Sequence, residues 1–135
     1  MKISTMSVVV GTRLCNAKCP FCISSMTTCP NSDYTLRMGG TSHFGFSFKI
    51  NRFLKSCVCA ERSGVQTILL TGKGEPTLFP LEIVDYLTAI RESDCRFPFI
   101  ELQTNGILLY QKIDDYSEML DRWIELGLTT ICISV

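Results

Sequence analysis

The chain has no excess of charge of either sign, since thirteen Lys and Arg stand against thirteen Asp and Glu. A dedicated nucleic-acid binder needs a basic stripe or patch to meet phosphate, so neutrality argues against that class. It does not exclude an enzyme whose substrate is part of a nucleic acid. Long apolar runs are also lacking. No stretch reaches the roughly 18–20 residues needed to span a bilayer. The early run Val8-Val9-Val10 is too short for a signal peptide and no small-residue cleavage site follows it, so the expected location is cytoplasmic. Histidine is nearly absent: His43, the single one, lies in a Ser-, Gly- and Phe-rich segment and reads as a solvated loop residue.

Apolar residues are plentiful, at 46% of a 135-residue chain. That suits a single domain, residues 1–135, with one core. Cysteine is plentiful too, with eight. In a small secreted chain such a number reads as a disulfide scaffold. Here there is no export signal, the core needs no staples, and Cys15, Cys19, Cys22 and Cys29 crowd into one early segment. Metal chemistry in a reducing compartment fits that distribution better.

The apolar pattern alternates between short β-rich runs and longer helical ones. Residues 7–12, 65–71, 97–103 and 129–135 read as four buried strands. Between them, residues 49–63 place Ile50, Phe53, Leu54 and Cys57 on one helical face, with Gly64 as a stop. Pro80 suits the first turn of a second helix, carrying Ile83, Val84, Leu87 and Ile90 in phase. Asp115 and Glu118 resemble a capping box that opens a third, with Tyr116, Met119, Leu120, Trp123 and Ile124 on its face and Gly127 at its end. Residues 24–47 lack a period and read as a long functional loop.

Strands alternating with helices predict an α/β fold: a parallel sheet of βα units with right-handed crossovers. Ligands of such sheets gather at the carboxyl ends of the strands. Three motifs fall there, at residues 15–22, 72–77 and 103–106, so segments distant in sequence are expected to meet on one rim.

Cys15, Cys19 and Cys22 have the spacing C-x3-C-x2-C. A loop of this kind wraps three thiolates around one corner of an iron–sulfur cluster and leaves one iron open. The spacing also admits a structural zinc site, with Cys29 as fourth ligand, or unpaired core thiols.

At this motif the sequence resembles the radical S-adenosylmethionine (radical SAM) superfamily, whose signature is three cysteines so spaced, with an aromatic such as Phe21 before the third. The segment Gly72-Lys73-Gly74-Glu75-Pro76 is similar to the family's glycine-glycine-glutamate motif after strand two. The segment Gln103-Thr104-Asn105-Gly106 is similar to one that activating-enzyme-like and deazaguanine-synthase-like members carry after strand three. The resemblance implies the N-terminal portion of a partial (β/α)6 TIM-like barrel. It implies that Cys15, Cys19 and Cys22 ligate a 4Fe-4S cluster whose fourth iron is chelated by S-adenosyl-L-methionine. Lys73, Gly74 and Glu75 would then border the methionine amino group, Phe21 the adenine, and Gln103, Thr104 and Asn105 the cofactor from strand three. Ser134 would fall where the family contacts ribose or carboxylate. The implied activity is reductive cleavage to a 5′-deoxyadenosyl radical that abstracts hydrogen from a substrate the sequence does not identify. The implied electron donor is a flavodoxin or ferredoxin. Lys73 departs from the family pattern, which has glycine there.

Two other readings stand beside this one: a zinc-stabilised binding module built on Cys15, Cys19, Cys22 and Cys29, and a non-catalytic remnant that binds the cluster only. The family core has about six strand–helix units against about four here. The apolar last strand would be a bare edge, so a truncated core is expected. Cys57, Cys59, Cys95 and Cys132 read as core or surface thiols, and Trp123 as packing.

Overall fold

A computed structural model describes residues 3–26 and 43–134. Cys29 and most of the expected 24–47 loop lie outside the described residues.

The strands β1 (Thr5–Val9), β2 (Thr67–Thr71), β3 (Phe99–Thr104) and β4 (Thr130–Ile133) form one parallel sheet in chain order, so β1 and β4 are its edges. Parallel neighbours need a crossover, and helices supply each one. After β1 come α1 (Ile23–Met26) and α2 (His43–Arg62); after β2, a 3-10 turn (Pro76–Leu78) and α3 (Pro80–Glu92); after β3, α4 (Ile107–Gln111) and α5 (Ile113–Glu125). This is the expected α/β architecture.

Register aligns Val8, Leu70, Leu102 and Ile131 in one row across the sheet. Strand side chains alternate between faces, so this row and the row of Met6, Ile68 and Ile100 meet the helices together. Phe53 and Cys57 of α2, Ile83 and Leu87 of α3, and Trp123 of α5 complete the same core cluster. Leu70 and Leu102 are fully buried, and cutting either to Ala is expected to cost about 2–5 kcal/mol.

Two glycines end helices as expected. At Gly64, with φ 79°, the Val65 N–H bonds the Ala60 carbonyl and the Gly64 N–H that of Glu61. At Gly127, φ 109°, Leu128 and Gly127 repeat the pattern with Trp123 and Ile124. Only a residue tolerant of positive φ closes a helix this way.

Several boundaries differ from the sequence reading. Strand one begins earlier than residue 7, where Thr5 and Met6 already pair with Thr67 and Ile68, and it ends earlier than residue 12 because Gly11, at φ 70°, turns the chain away just after Val10. The expected loop is helical at both described ends, and His43 opens α2 instead of lying in a loop. The Asp115–Glu118 capping box does not form. Lys112 both closes α4 and caps α5, without a side-chain bond, so the preceding helix sets the start of α5. Asp114 and Asp115 instead sit in the first turn, where carboxylates meet the positive end of the helix dipole. Ile124 is 60% exposed and so is not on the packing face, while Trp123 beside it is fully buried. Cys57 and Cys95 are buried thiols, Cys59 and Cys132 exposed ones.

Candidate functional site

The three motif segments leave the sheet at the carboxyl ends of β1, β2 and β3, and the structure joins them by direct contacts. Past β1, the Val10 N–H still pairs with the Thr71 carbonyl at 2.7 Å, and then Gly11 redirects the chain. A Cβ at Gly11 would lie 2.2 Å from the Phe79 ring, so this turn takes no side chain. The Gly11 N–H is held by Glu82 Oε2 at 3.1 Å. Thr12 Oγ1 then accepts from the Leu14 N–H at 3.2 Å and shapes the root of the cysteine loop.

That root is pressed against the loop after β2. The Glu75 N–H donates to the Leu14 carbonyl at 2.9 Å. A Cβ at Gly74 would stand 2.0 Å from the same oxygen, so the approach is possible only with glycine there. On the far side, the Arg13 guanidinium donates to the Ser24 carbonyl in α1, which closes the base of the loop around the cysteines. Cys15 and Cys19 are exposed free thiols and Cys22 is half-buried. The Ala17 N–H points at Cys15 Sγ, 3.4 Å away, and the Cys22 N–H bonds the Cys19 carbonyl at 3.2 Å.

Glu75 ties the second and third loops together. Its side chain is only 3% exposed and no cationic partner faces it among the described residues. Oε1 instead accepts from the Thr77 N–H at 3.0 Å, Thr77 Oγ1 at 2.7 Å and Thr104 Oγ1 at 2.5 Å, and Oε2 accepts from the Asn105 N–H at 2.9 Å. A buried polar side chain is tolerated when its oxygens are filled by hydrogen bonds, and here four neutral donors fill them. Tyr116 of α5 extends the network by donating to the Thr77 carbonyl at 2.7 Å. Burial, then the nearby Glu75 and Asp115 carboxylates, push the Tyr116 hydroxyl above its usual range, so it stays a donor.

Asn105 joins the third loop to the first. Its Nδ2 donates to Asn16 Oδ1 at 2.9 Å and lies 3.8 Å from Cys15 Sγ. Gln103 is exposed, and its Oε1 accepts from Thr71 Oγ1 at 3.1 Å, linking the tips of β2 and β3. Among the other residues singled out in the sequence, Lys73 is exposed, Phe21 is 74% exposed on the cysteine loop, and exposed Ser134 donates its N–H to the Thr104 carbonyl at 2.9 Å.

The sequence reading brought together the right segments but missed Arg13, Leu14, Asn16 and Tyr116. Leu14 acts through its carbonyl, which no residue type announces. Asn16 lies inside the cysteine motif, and its amide was the one available signal.

Among the described residues no three His, Cys, Asp or Glu side chains stand close enough together to hold a metal ion, the cysteine triplet included. The donor set nevertheless suits an iron–sulfur cluster: no disulfide joins the described cysteines, and the three thiols share one loop anchored at both ends. Thiolate sites of this kind gather as the metal binds. No described helix is long and apolar enough to cross a membrane.

The family model for the Radical SAM superfamily matches residues 9–135, and the chain belongs to that superfamily. No curated protein and no solved structure matches the chain.

Proposed function

We propose that this radical SAM chain carries a 4Fe-4S cluster on Cys15, Cys19 and Cys22, with S-adenosylmethionine beside it, and cleaves that cofactor reductively to start hydrogen abstraction from a substrate. The observation that carries the reading is the junction of the cysteine loop with the two neighbouring loops: Leu14 to Glu75 and Asn16 to Asn105, each at 2.9 Å. A cofactor chelating the open iron has to lie next to the ligand loop, and these contacts hold the glycine-bearing loop there. Cys15, Cys19 and Cys22 would hold the cluster, which when bound would supply the single low-potential electron that reductive cleavage of a sulfonium needs.

The protein's own residues have simpler tasks. Cys15, Cys19 and Cys22 supply three soft ligands and so leave one coordination position open. Gly72 and Gly74 place no side chain of their own over their backbone carbonyls, which suits acceptance of hydrogen bonds from an ammonium group. Lys73, between these glycines, is exposed. Glu75 works from behind, fixing the β3 tip to the β2 loop. Gln103, at the open rim, is available to the cofactor or substrate. Phe21, exposed on the ligand loop, offers an apolar face for adenine. The electron would come from a low-potential donor, of which a flavodoxin- or ferredoxin-type protein is the class proposed.

The test is production of 5′-deoxyadenosine after anaerobic reconstitution with iron and sulfide and addition of dithionite and S-adenosylmethionine. Product that disappears in Cys15→Ala, Cys19→Ala and Cys22→Ala supports the reading. A protein that assembles its cluster but releases no deoxyadenosine is a cluster-binding remnant.

A further inference from the structure

Asn105 is held by both ends of its side-chain amide. The Ile107 N–H donates to its Oδ1 at 3.0 Å, which closes a turn of the side chain onto the start of α4. Its own N–H is fixed by Glu75 Oε2 at 2.9 Å. These two bonds settle which way the amide faces: the oxygen is engaged behind, and Nδ2 is directed at the cysteine loop. One Nδ2 hydrogen goes to Asn16 Oδ1 at 2.9 Å, and the other is left for Cys15 Sγ at 3.8 Å. An amide has two N–H donors, so both contacts can be made at once.

We infer that Asn105 is a positioning residue for the cluster: it holds Cys15 in place and donates an N–H···S hydrogen bond that raises the reduction potential of the cluster that Cys15 ligates. The inference rests on the reading of Cys15 as an iron ligand. Its physical basis is the charge on sulfur. A hydrogen bond to a ligating thiolate stabilises negative charge, and more charge resides on the ligands after the cluster accepts an electron. The reduced state therefore gains more than the oxidised one. A second N–H, from Ala17 at 3.4 Å, meets the same sulfur from within the loop. Asn105 is the donor to Cys15 that comes from another element of the sheet, through the network that also reaches Glu75. In this way the tip of β3 communicates with the cluster although none of its residues is a ligand.

The test compares the wild-type chain with Asn105→Asp, Asn105→Ala and Asn16→Ala. Asp keeps an acceptor for the Ile107 N–H and removes both side-chain donors; Ala removes the donors without adding charge. After reconstitution, the midpoint potential is read by electron paramagnetic resonance during a redox titration. The expected result is a more negative midpoint in both Asn105 variants and a near wild-type midpoint in Asn16→Ala, which retains the bond to sulfur. An unchanged midpoint in cluster-loaded Asn105→Ala overturns the inference, as does an equal shift in Asn16→Ala. If the Asn105 variants fold but take up no cluster, hydrogen exchange of the apo-protein gives the answer. Faster exchange across residues 15–22 than in wild type supports the positioning role, and identical exchange overturns it. A wild-type chain that binds no cluster defeats the proposed function instead, and the exchange comparison still decides whether Asn105 holds the loop.

Discussion

The Glu75 N–H meets the Leu14 carbonyl at 2.9 Å, so the backbone just before the first cysteine is bonded to the loop that follows the next strand. Residues about sixty apart in sequence are thereby fixed side by side. The approach depends on Gly74, where a Cβ would fall 2.0 Å from the Leu14 oxygen and 2.6 Å from its carbon. The obstacle is backbone, which cannot rotate aside. Gly74→Ala is expected to separate the two loops at a cost of about 3 kcal/mol, the upper end of what overpacking causes. Urea unfolding should show the lower midpoint, and iron uptake on reconstitution should fall with it.

Glu75 gives a second expectation. Gln has the same shape, but it presents one acceptor oxygen and an NH2 group where the carboxylate receives four donors. Glu75→Gln therefore leaves at least one buried donor facing another donor. It should cost about 1–3 kcal/mol, read as a lower urea midpoint at unchanged slope. Thr104→Val, which removes one of the four donors and also the acceptor for the Gly106 N–H, should lose stability as well.

The stability of the fold should fall in alkali. Burial, helped by the neighbouring Cys95, pushes the Cys57 thiol from 9.0 up to about 12. Burial, helped by Glu82, pushes the Tyr86 hydroxyl from 10.0 up to about 12. Both groups hold their protons more tightly folded than unfolded. Their contribution is thus fully present below the unfolded values and is lost as pH rises through the folded ones. Unfolding free energy should decline from a pH near 9.0 toward about 12, with the sign set by proton release from the unfolded chain. Tyr86→Phe should flatten part of that slope, measured by denaturant titration at stepped pH.

Cys29→Ala separates the cluster from a zinc site. A three-cysteine cluster needs no fourth thiol, so iron and sulfide content after reconstitution should match wild type. A zinc site with Cys29 as fourth ligand should lose most of its affinity, seen as metal loss to a chelator.

Much of the fold was legible because it rests on side-chain periodicity. The Ile68-Leu69-Leu70 run, the phase of Ile83, Leu87 and Ile90, and the stops at Gly64 and Gly127 are all written in residue type. The parallel sheet followed from the alternation of strands with helices. The errors occur where a neighbour outweighs local propensity. Asp115 does not cap α5 because α4 runs directly into it, and Ile124 lies outside the stripe of Tyr116, Met119, Leu120 and Trp123 that packs on the core. The meeting of three loops at the strand ends was also legible, as a consequence of parallel βα topology. Its details were not: the Leu14 carbonyl, the Arg13 clasp on Ser24 and the turn of Asn105 are backbone-directed contacts that any composition-based reading passes over.

The most direct measurement is the electron paramagnetic resonance spectrum of the reduced, reconstituted chain before and after addition of S-adenosylmethionine. Three thiolates leave one iron to be filled from solution, so the cofactor is expected to change the signal by binding that iron. A colourless protein holding zinc, or a cluster signal indifferent to S-adenosylmethionine, would contradict a vacant corner beside the strand-end cradle.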